Sequence, residues 1–404
     1  FGGHHKSSSW KSKTENRERY REIQREREQE RMRDTERFRA RELIAPKLSY
    51  NKAEMEIKDG KFRTNKVVDC VIQSWGYICE RRDEKVDKLL GDMKAASNQL
   101  GITLSNPICF ELGQSRNWAD QIKEKRDSFK GLSIVLVMLS NNNAQTYKVV
   151  KTIFYQRLGI PCQCIIPFKH NKGLSSVSNV LNQMVVKCNG RLYDIKLGEM
   201  SSSLAKRSTI IGVEVVKYGR GKKYSLVGTV NKLHNKITTE EIIRDANDKE
   251  NFPINTFVDK LITGAKEMTI VIYRNGSNSS QTKNIIDEDI LPLRMHLDNL
   301  KRTGTNVTCA FIITNKLIDV KFFMMDGSNL NNPKSGLCVD DHIISPGSYE
   351  FYIQPQFVNQ GTATPTKFQV LMDDTSMTLE EIEQITYYMC RSEERRVGKE
   401  CLRL

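Results

Sequence analysis

Tyr147 and Lys151 stand four residues apart in the segment TYKVVK, so a helix would present both on one face. Gln163 follows in GIPCQC, and Lys187 in NQMVVKCNGR. An aromatic ring that can stack on a base, two ammonium groups and an amide together suit the terminal phosphate of a nucleotide. Spacing alone is a weak signal and favours four surface polar residues. For the four to act together, a helix, the strand after it and the end of a second helix must meet at one place.

The surrounding sequence contains such elements. LSIVLVMLS (132–140) reads as a fully buried strand, TYKVVKTIFYQRL as a helix, GIPCQCII as the next strand and SSVSNVLNQMVVK as the next helix, closed by Lys187. Upstream, residues 66–80 have strand character, and residues 83–101 carry apolar residues at helical spacing up to a stop at Gly101. Strands alternating with helices over short connections predict an α/β unit with a parallel sheet. Ligands of such sheets are expected at the carboxyl ends of the strands, near helix N-termini. A second α/β region opens near Ser208. TIIGVEVV (209–216) and YSLVGTVNKL read as strands around the turn KYGRGKK. TTEEIIRDA and PINTFVDKLITGA read as helices, MTIVIYRNG (268–276) as a strand and IIDEDILPLRMHLDNLKR as a helix. NVTCAFIIT, IDVKFFMMD, YEFYIQ and KFQVLM read as strands, before a last helix at 378–390.

Composition narrows the partners. The chain has 404 residues, enough for two or three domains, and 63 Lys+Arg against 49 Asp+Glu leave a formal charge of +14. A surplus of this size suits a polyanion, because Lys and Arg release the counterions condensed on phosphates; a solvated basic surface is the competing explanation. Residues 1–14 read as a disordered leader. Residues 15–42 alternate Arg and Glu at helical pair spacing, which predicts a charged, solvated helix leading into a linker up to residue 65. The ten cysteines show no zinc spacing and are expected to be buried, reduced thiols of an intracellular protein, cytoplasmic or nuclear. The six histidines form no metal motif, so any metal would have to be held by carboxylates. No apolar run nears the roughly 20 residues of a membrane-spanning helix.

TYKVVK, GIPCQC and NQMVVKCNGR, taken in order, resemble the middle (MID) domain of the Argonaute/Piwi family, whose pattern is Tyr-x-x-x-Lys, a Gln-Cys pair, then Lys before a Gly-rich turn. TIIGVEVV resembles the family's first PIWI strand, and YRNGSNSSQ (273–281) its Tyr-Arg-Asp-Gly-…-Gln signature. Further motifs follow in the family's order, so the resemblance covers about residues 40–390. It implies an α/β chain with a Rossmann-like MID domain at 66–195 and an RNase H-like PIWI domain at 196–390. The charged helix and second-linker segment at 15–65 would precede them. The string RSEERRVGKEC opens a segment, residues 391–404, that reads as a non-native tail, with the PIWI domain cut short before it; a domain binding the guide 3′ end would lie before residue 1.

The resemblance also assigns roles. Tyr147 would stack on the first base of a small guide RNA, and Lys151, Gln163 and Lys187 would hold its 5′ phosphate. The Asn141–Asn143 loop would contact that first base. Active family members cut target RNA with two divalent metals held by carboxylates. Here Glu214 stands where the family has its first Asp, and Asn275 where it has its second; Glu241 is the candidate for the completing Glu. A longer carboxylate and a neutral amide make a poor site, so Mg²⁺ is expected only if the chain is catalytic after all. The implied protein is a small-RNA-guided silencing factor that does not cut, acting on complementary target RNA and through silencing partner proteins. An active endoribonuclease using Glu214 and a neighbouring acid is the alternative, and a scaffold that binds no nucleic acid a third.

Overall fold

The computed structural model describes residues 38–50, 53–56, 66–141, 143–166, 174–195, 204, 207–231, 234, 236–248, 250–276, 282–327, 329–358 and 361–390. The expected leader, almost all of the expected charged helix and the expected tail at 391–404 lie outside them. The chain forms two compact units, Phe1–Arg41 and Glu42–Leu404, and the elements that position the candidate residues all belong to the second.

The first part of that unit is built on a parallel sheet of β1 (Trp75–Cys79), β2 (Ile108–Glu111), β3 (Ile134–Met138) and β4 (Cys162–Ile165), in the order β2-β1-β3-β4. The unbroken apolar run IVLVM of β3 follows from burial on both faces. Ile134 and Leu136 join the core that holds Trp75, Met93 and Met184, whereas Val135 and Val137 join the one that holds Phe110, Phe129 and Phe154. Helices α1 (Glu84–Leu100) and, further on, α4 (Leu174–Lys187) cover the first face. Helices α2 (Trp118–Glu124) and α3 (Ala144–Thr152) cover the second. The start and stop of α1 are local. The Asp83 carboxylate accepts the amides of Lys85 and Val86, and Gly101 takes a left-handed φ of 70°, which a residue without a Cβ adopts freely.

The second part is a large mixed sheet. Its strands are β5 (Ser208–Tyr218), β6 (Gly221–Thr229), β7 (Ile237–Arg244), β8 (Glu267–Asn275), β9 (Asn306–Asn315), β10 (Leu337–Val339), β11 (Tyr349–Gln354) and β12 (Thr366–Asp373). Within residues 42–404 they run β10-β11-β12-β9-β8-β5-β6-β7, with β5, β8 and β9 mutually parallel at the centre. Helices α5 (Pro253–Ile262) and α6 (Leu291–Arg302) pack on one face, over Ile211, Ile270 and Phe311. Helix α7 (Leu379–Met389) packs on the other, where Ile210, Val271 and Phe368 share the core of the parallel sheet.

Two expectations are corrected. TTEEIIRDA is not a helix: its first seven residues lie in β7, which pairs with β6 from Thr229↔Ile237 to Lys222↔Arg244. Glu240, Ile242 and Arg244 are half-buried while Thr239, Glu241 and Ile243 are exposed, a period of two that sheet pairing rewards over the helical spacing of the acids. In IDVKFFMMD only Met324–Asp326 forms a strand, paired with Asn329–Asn331.

Candidate functional site

Lys151 lies in the last turn of α3 and Lys187 is the last residue of α4. At Lys187 the cation is favoured by the partial negative charge of the final carbonyls, whereas the helix of Lys151 runs on as π-helix Ile153–Leu158. Both ammonium groups donate to one backbone oxygen, that of Cys162 at the start of β4, at 3.0 Å from Lys151 Nζ and 3.2 Å from Lys187 Nζ. Lys187 Nζ also donates to Gln163 Oε1 at 2.6 Å, and Gln163 Nε2 donates to the Cys164 carbonyl at 3.2 Å. Lys151 and Gln163 are buried, whereas Tyr147 is 38% exposed. Lys151 Nζ sits 5.6 Å from the centroid of the Tyr147 ring and 5.0 Å from that of Tyr155, one helical turn to either side.

Tyr147, Lys151, Gln163 and Lys187 therefore come together. They do so at the amino end of β4, not at the carboxyl end where a parallel sheet is expected to take its ligand. The positive charge there comes from Lys187, which closes α4, and from Lys151, on the helix that runs on through Leu158, and not from helix N-termini. Tyr155 was missed, although its spacing of four from Lys151 was a usable signal. The Cys162 carbonyl, which gathers both ammonium groups, left none, because every residue has a carbonyl. Asn143 caps α3, its side chain accepting the amides of Gln145 and Thr146 at 2.8 and 3.2 Å, which commits that oxygen to the helix start. Asn142 lies outside the described residues.

Burial by itself lowers the Lys151 pKa. The neighbouring Cys162 and Cys164 side chains and the two tyrosine hydroxyls outweigh it, and the net shift is upward. The ammonium is charged at neutral pH. The Cys164 thiol is pushed well up, first by its hydrogen bond with Cys162 and then by burial, so it is a neutral wall of the site and not a nucleophile. The described cysteines are all free; Cys109 is exposed, and Cys164 and Cys188 are half-buried, against the expectation of uniformly buried thiols.

The other candidates lie at the large sheet. Asn275, the last residue of β8, accepts the Val215 amide through Oδ1 at 2.8 Å and donates Nδ2 to the Val215 carbonyl at 3.3 Å. Its amide thus extends β8 sideways onto β5. Glu214 is in register with Ser225, and Ser225 with Glu241, so these three share a face across β5, β6 and β7. Glu241 is two strand spacings from Glu214, about 10 Å, and forms an ion pair with Lys223 at 2.8 Å. Next to Asn275, Arg274 Nε donates to Asp289 Oδ2 at 2.8 Å, and Tyr224 donates its hydroxyl to Asp289 Oδ1 at 2.8 Å. Desolvation pushes the Asp289 carboxyl upward against the pull of Arg274.

A two-metal centre needs carboxylates converging on ions roughly 4 Å apart. Asn275 is neutral and engaged at both ends of its amide, and Glu241 is committed to Lys223. Among the described residues no three His, Cys, Asp or Glu side chains gather as metal ligands. The donor set does not fit the metals.

Residues 134–399 match the family model for the Piwi domain. Among similar proteins, Piwi-like protein 3 of Homo sapiens is 23% identical over 79% of this chain, and Protein argonaute-3 of Drosophila melanogaster 26% over 81%. The chain spans 38% of the length of each. Drosophila Piwi superposes with a TM-score of 0.72 at 20% identity, over 87% of this chain and 50% of that one. The C-terminal lobe of a budding yeast Argonaute gives 0.69 at 15% identity, over 87% and 84%. Kluyveromyces polysporus Argonaute with a guide RNA gives 0.67 at 16%, over 86% and 48%. Among the described residues no helix is long and apolar enough to cross a membrane.

Proposed function

The chain belongs to the Argonaute/Piwi family, and on that premise we propose that it is a small-RNA-guided RNA-binding protein that holds the 5′ phosphate of its guide and does not cut the target. In this reading the parallel-sheet region, residues 66–195, is a Rossmann-like MID domain, and residues 196–390 are an RNase H-like PIWI domain. Complementary target RNA is found by base pairing, and silencing proceeds through partner proteins.

The observation that carries the proposal is the pair of ammonium groups donating to the single Cys162 carbonyl, with the Gln163 amide beside them and the half-open Tyr147 ring next to one of them. A dianionic phosphate monoester placed there takes charge-assisted hydrogen bonds from both lysines. The ring offers a π-face to the first base whatever its identity. Absence of cutting rests on Asn275, whose amide is neutral and engaged with Val215.

The test is recovery of RNA with the protein expressed in cells. Short RNAs bearing 5′ monophosphates should co-purify, and Lys151→Glu should abolish the recovery. Absence of RNA would favour the scaffold. With a loaded guide and a matched target, magnesium-dependent cleavage would overturn the non-cutting part and restore the endoribonuclease alternative.

A further inference from the structure

We propose that Tyr155 is a positioning residue of the guide pocket: its ring, acting through Lys151, holds that ammonium in place so that the pocket tells a 5′ phosphate from a 5′ hydroxyl. The inference rests on the reading of Tyr147, Lys151, Gln163 and Lys187 as a phosphate seat. It adds a residue that touches neither the phosphate nor the base.

Lys151 lies between two rings of its own helix. Tyr147 is four residues before it and Tyr155 four after, with centroids 5.6 and 5.0 Å from Nζ. Both are within the reach at which an ammonium is attracted to an aromatic face. Helical side chains lean toward the N-terminus, so Tyr155 covers the turn that carries Lys151. The backbone adds to this. Helix α3 ends at Thr152 and continues as the π-helical segment Ile153–Leu158, which Gly159 closes in a left-handed conformation with φ of 67°. Four residues overshoot an α-helical turn of about 3.6. The wider turn of i→i+5 bonding takes up the overshoot and sets Tyr155 more nearly in line with Lys151.

The two rings differ in what else they do. Tyr147 is 38% exposed, and in the guide reading its ring stacks on the first base. Tyr155 is half-buried and packs against the core that holds Phe129, Val150 and Phe154. A ring seated in the core keeps its place whether the pocket is empty or filled. Lys151 needs such a hold, because its ammonium ends a flexible stem. Burial opposes its charge, and Cys162, Cys164 and the two tyrosines more than restore it. A long side chain left loose must be ordered when the phosphate arrives; one already held by a ring and by the Cys162 carbonyl at 3.0 Å need not be. Lys187 is held by the Cys162 carbonyl and Gln163 Oε1 instead. The influence of Tyr155 therefore runs through Lys151.

The experiment is titration of the full chain with one RNA sequence bearing either a 5′ monophosphate or a 5′ hydroxyl, read as the ratio of the two affinities. Comparing two ligands on one variant cancels a general loss of stability. Tyr155→Leu keeps apolar packing but removes the ring face, and the ratio should fall about fivefold, the cost of ordering one long side chain on binding. Tyr155→Phe keeps the face and loses only the hydroxyl, so it should retain the wild-type ratio. In a Lys151→Met background, Tyr155→Leu should change the ratio no further. An unchanged ratio in Tyr155→Leu overturns the proposal. So does a fall in Tyr155→Phe equal to that in Tyr155→Leu, or an undiminished effect of Tyr155→Leu in the Lys151→Met background. Each of these leaves the phosphate seat standing while wild type prefers the phosphorylated end; a wild type without that preference removes the seat and this inference with it.

Discussion

Replacing Lys187 by Met separates the cost of the guide pocket from its use. Two ammonium groups at 3.0 and 3.2 Å from one oxygen are at most about 6 Å apart, where like charges repel by roughly 3 kcal/mol at an effective dielectric of about 20. Bound phosphate would cancel that repulsion; the free protein carries it. Lys187→Met relieves it but leaves Gln163 Oε1 without the donor it has at 2.6 Å, a loss of about 1–3 kcal/mol. The two nearly offset, so the thermal midpoint should move by no more than about 4 °C. Affinity for a 5′-phosphorylated RNA should behave differently. It loses a charge-assisted hydrogen bond worth about 1.5–3 kcal/mol, a drop of roughly 10- to 150-fold. Calorimetric unfolding of the free protein and titration with one RNA read both numbers. A variant that unfolds far earlier yet binds the phosphorylated RNA like wild type would make Lys187 a structural residue and refute the reasoning.

Three further outcomes are expected. His234 is buried between Ser208 Oγ at 3.2 Å and Thr229 Oγ1 at 2.9 Å, and burial lowers its pKa to about 4. The unfolded chain therefore takes up a proton that the folded one refuses. Stability should fall by roughly 3 kcal/mol as pH drops from about 6.5 to about 4, and denaturant titrations at several pH values should show His234→Gln without that dependence. Asn275→Asp keeps the acceptor for the Val215 amide but sets a carboxylate against the Val215 carbonyl; unfolding should be easier by about 1–2 kcal/mol, with no magnesium-dependent cutting gained in a cleavage assay. Asp289→Asn leaves the buried Arg274 guanidinium without its counter-charge, and chemical denaturation should register a loss of about 3–5 kcal/mol.

The parallel sheet was legible because burial on both faces leaves continuous apolar runs such as IVLVM, and helix α1 because Asp83 and Gly101 act within one turn of its ends. Strand β7 was not: ITTEEIIR supports both periodicities, and only pairing with β6 selects the extended one. That pairing also decides the place of Glu241, which a helix would have freed and the register carries to the edge strand. Tyr147 and Lys151 could be linked by spacing. Their meeting with Gln163 and Lys187 depends on the Cys162 carbonyl, a backbone group that no residue type announces. The engagement of Asn275 with Val215 is likewise a contact between strands, visible only once β5 and β8 are placed side by side.

Paired titrations of the wild-type protein, with one RNA sequence carrying either a 5′ monophosphate or a 5′ hydroxyl, bear most directly on the pocket at β4. Two ammonium groups sharing a carbonyl should favour the phosphorylated end at least tenfold, and Lys151→Glu should erase the preference. Equal affinity for the two ends would contradict a phosphate seat at Tyr147, Lys151, Gln163 and Lys187.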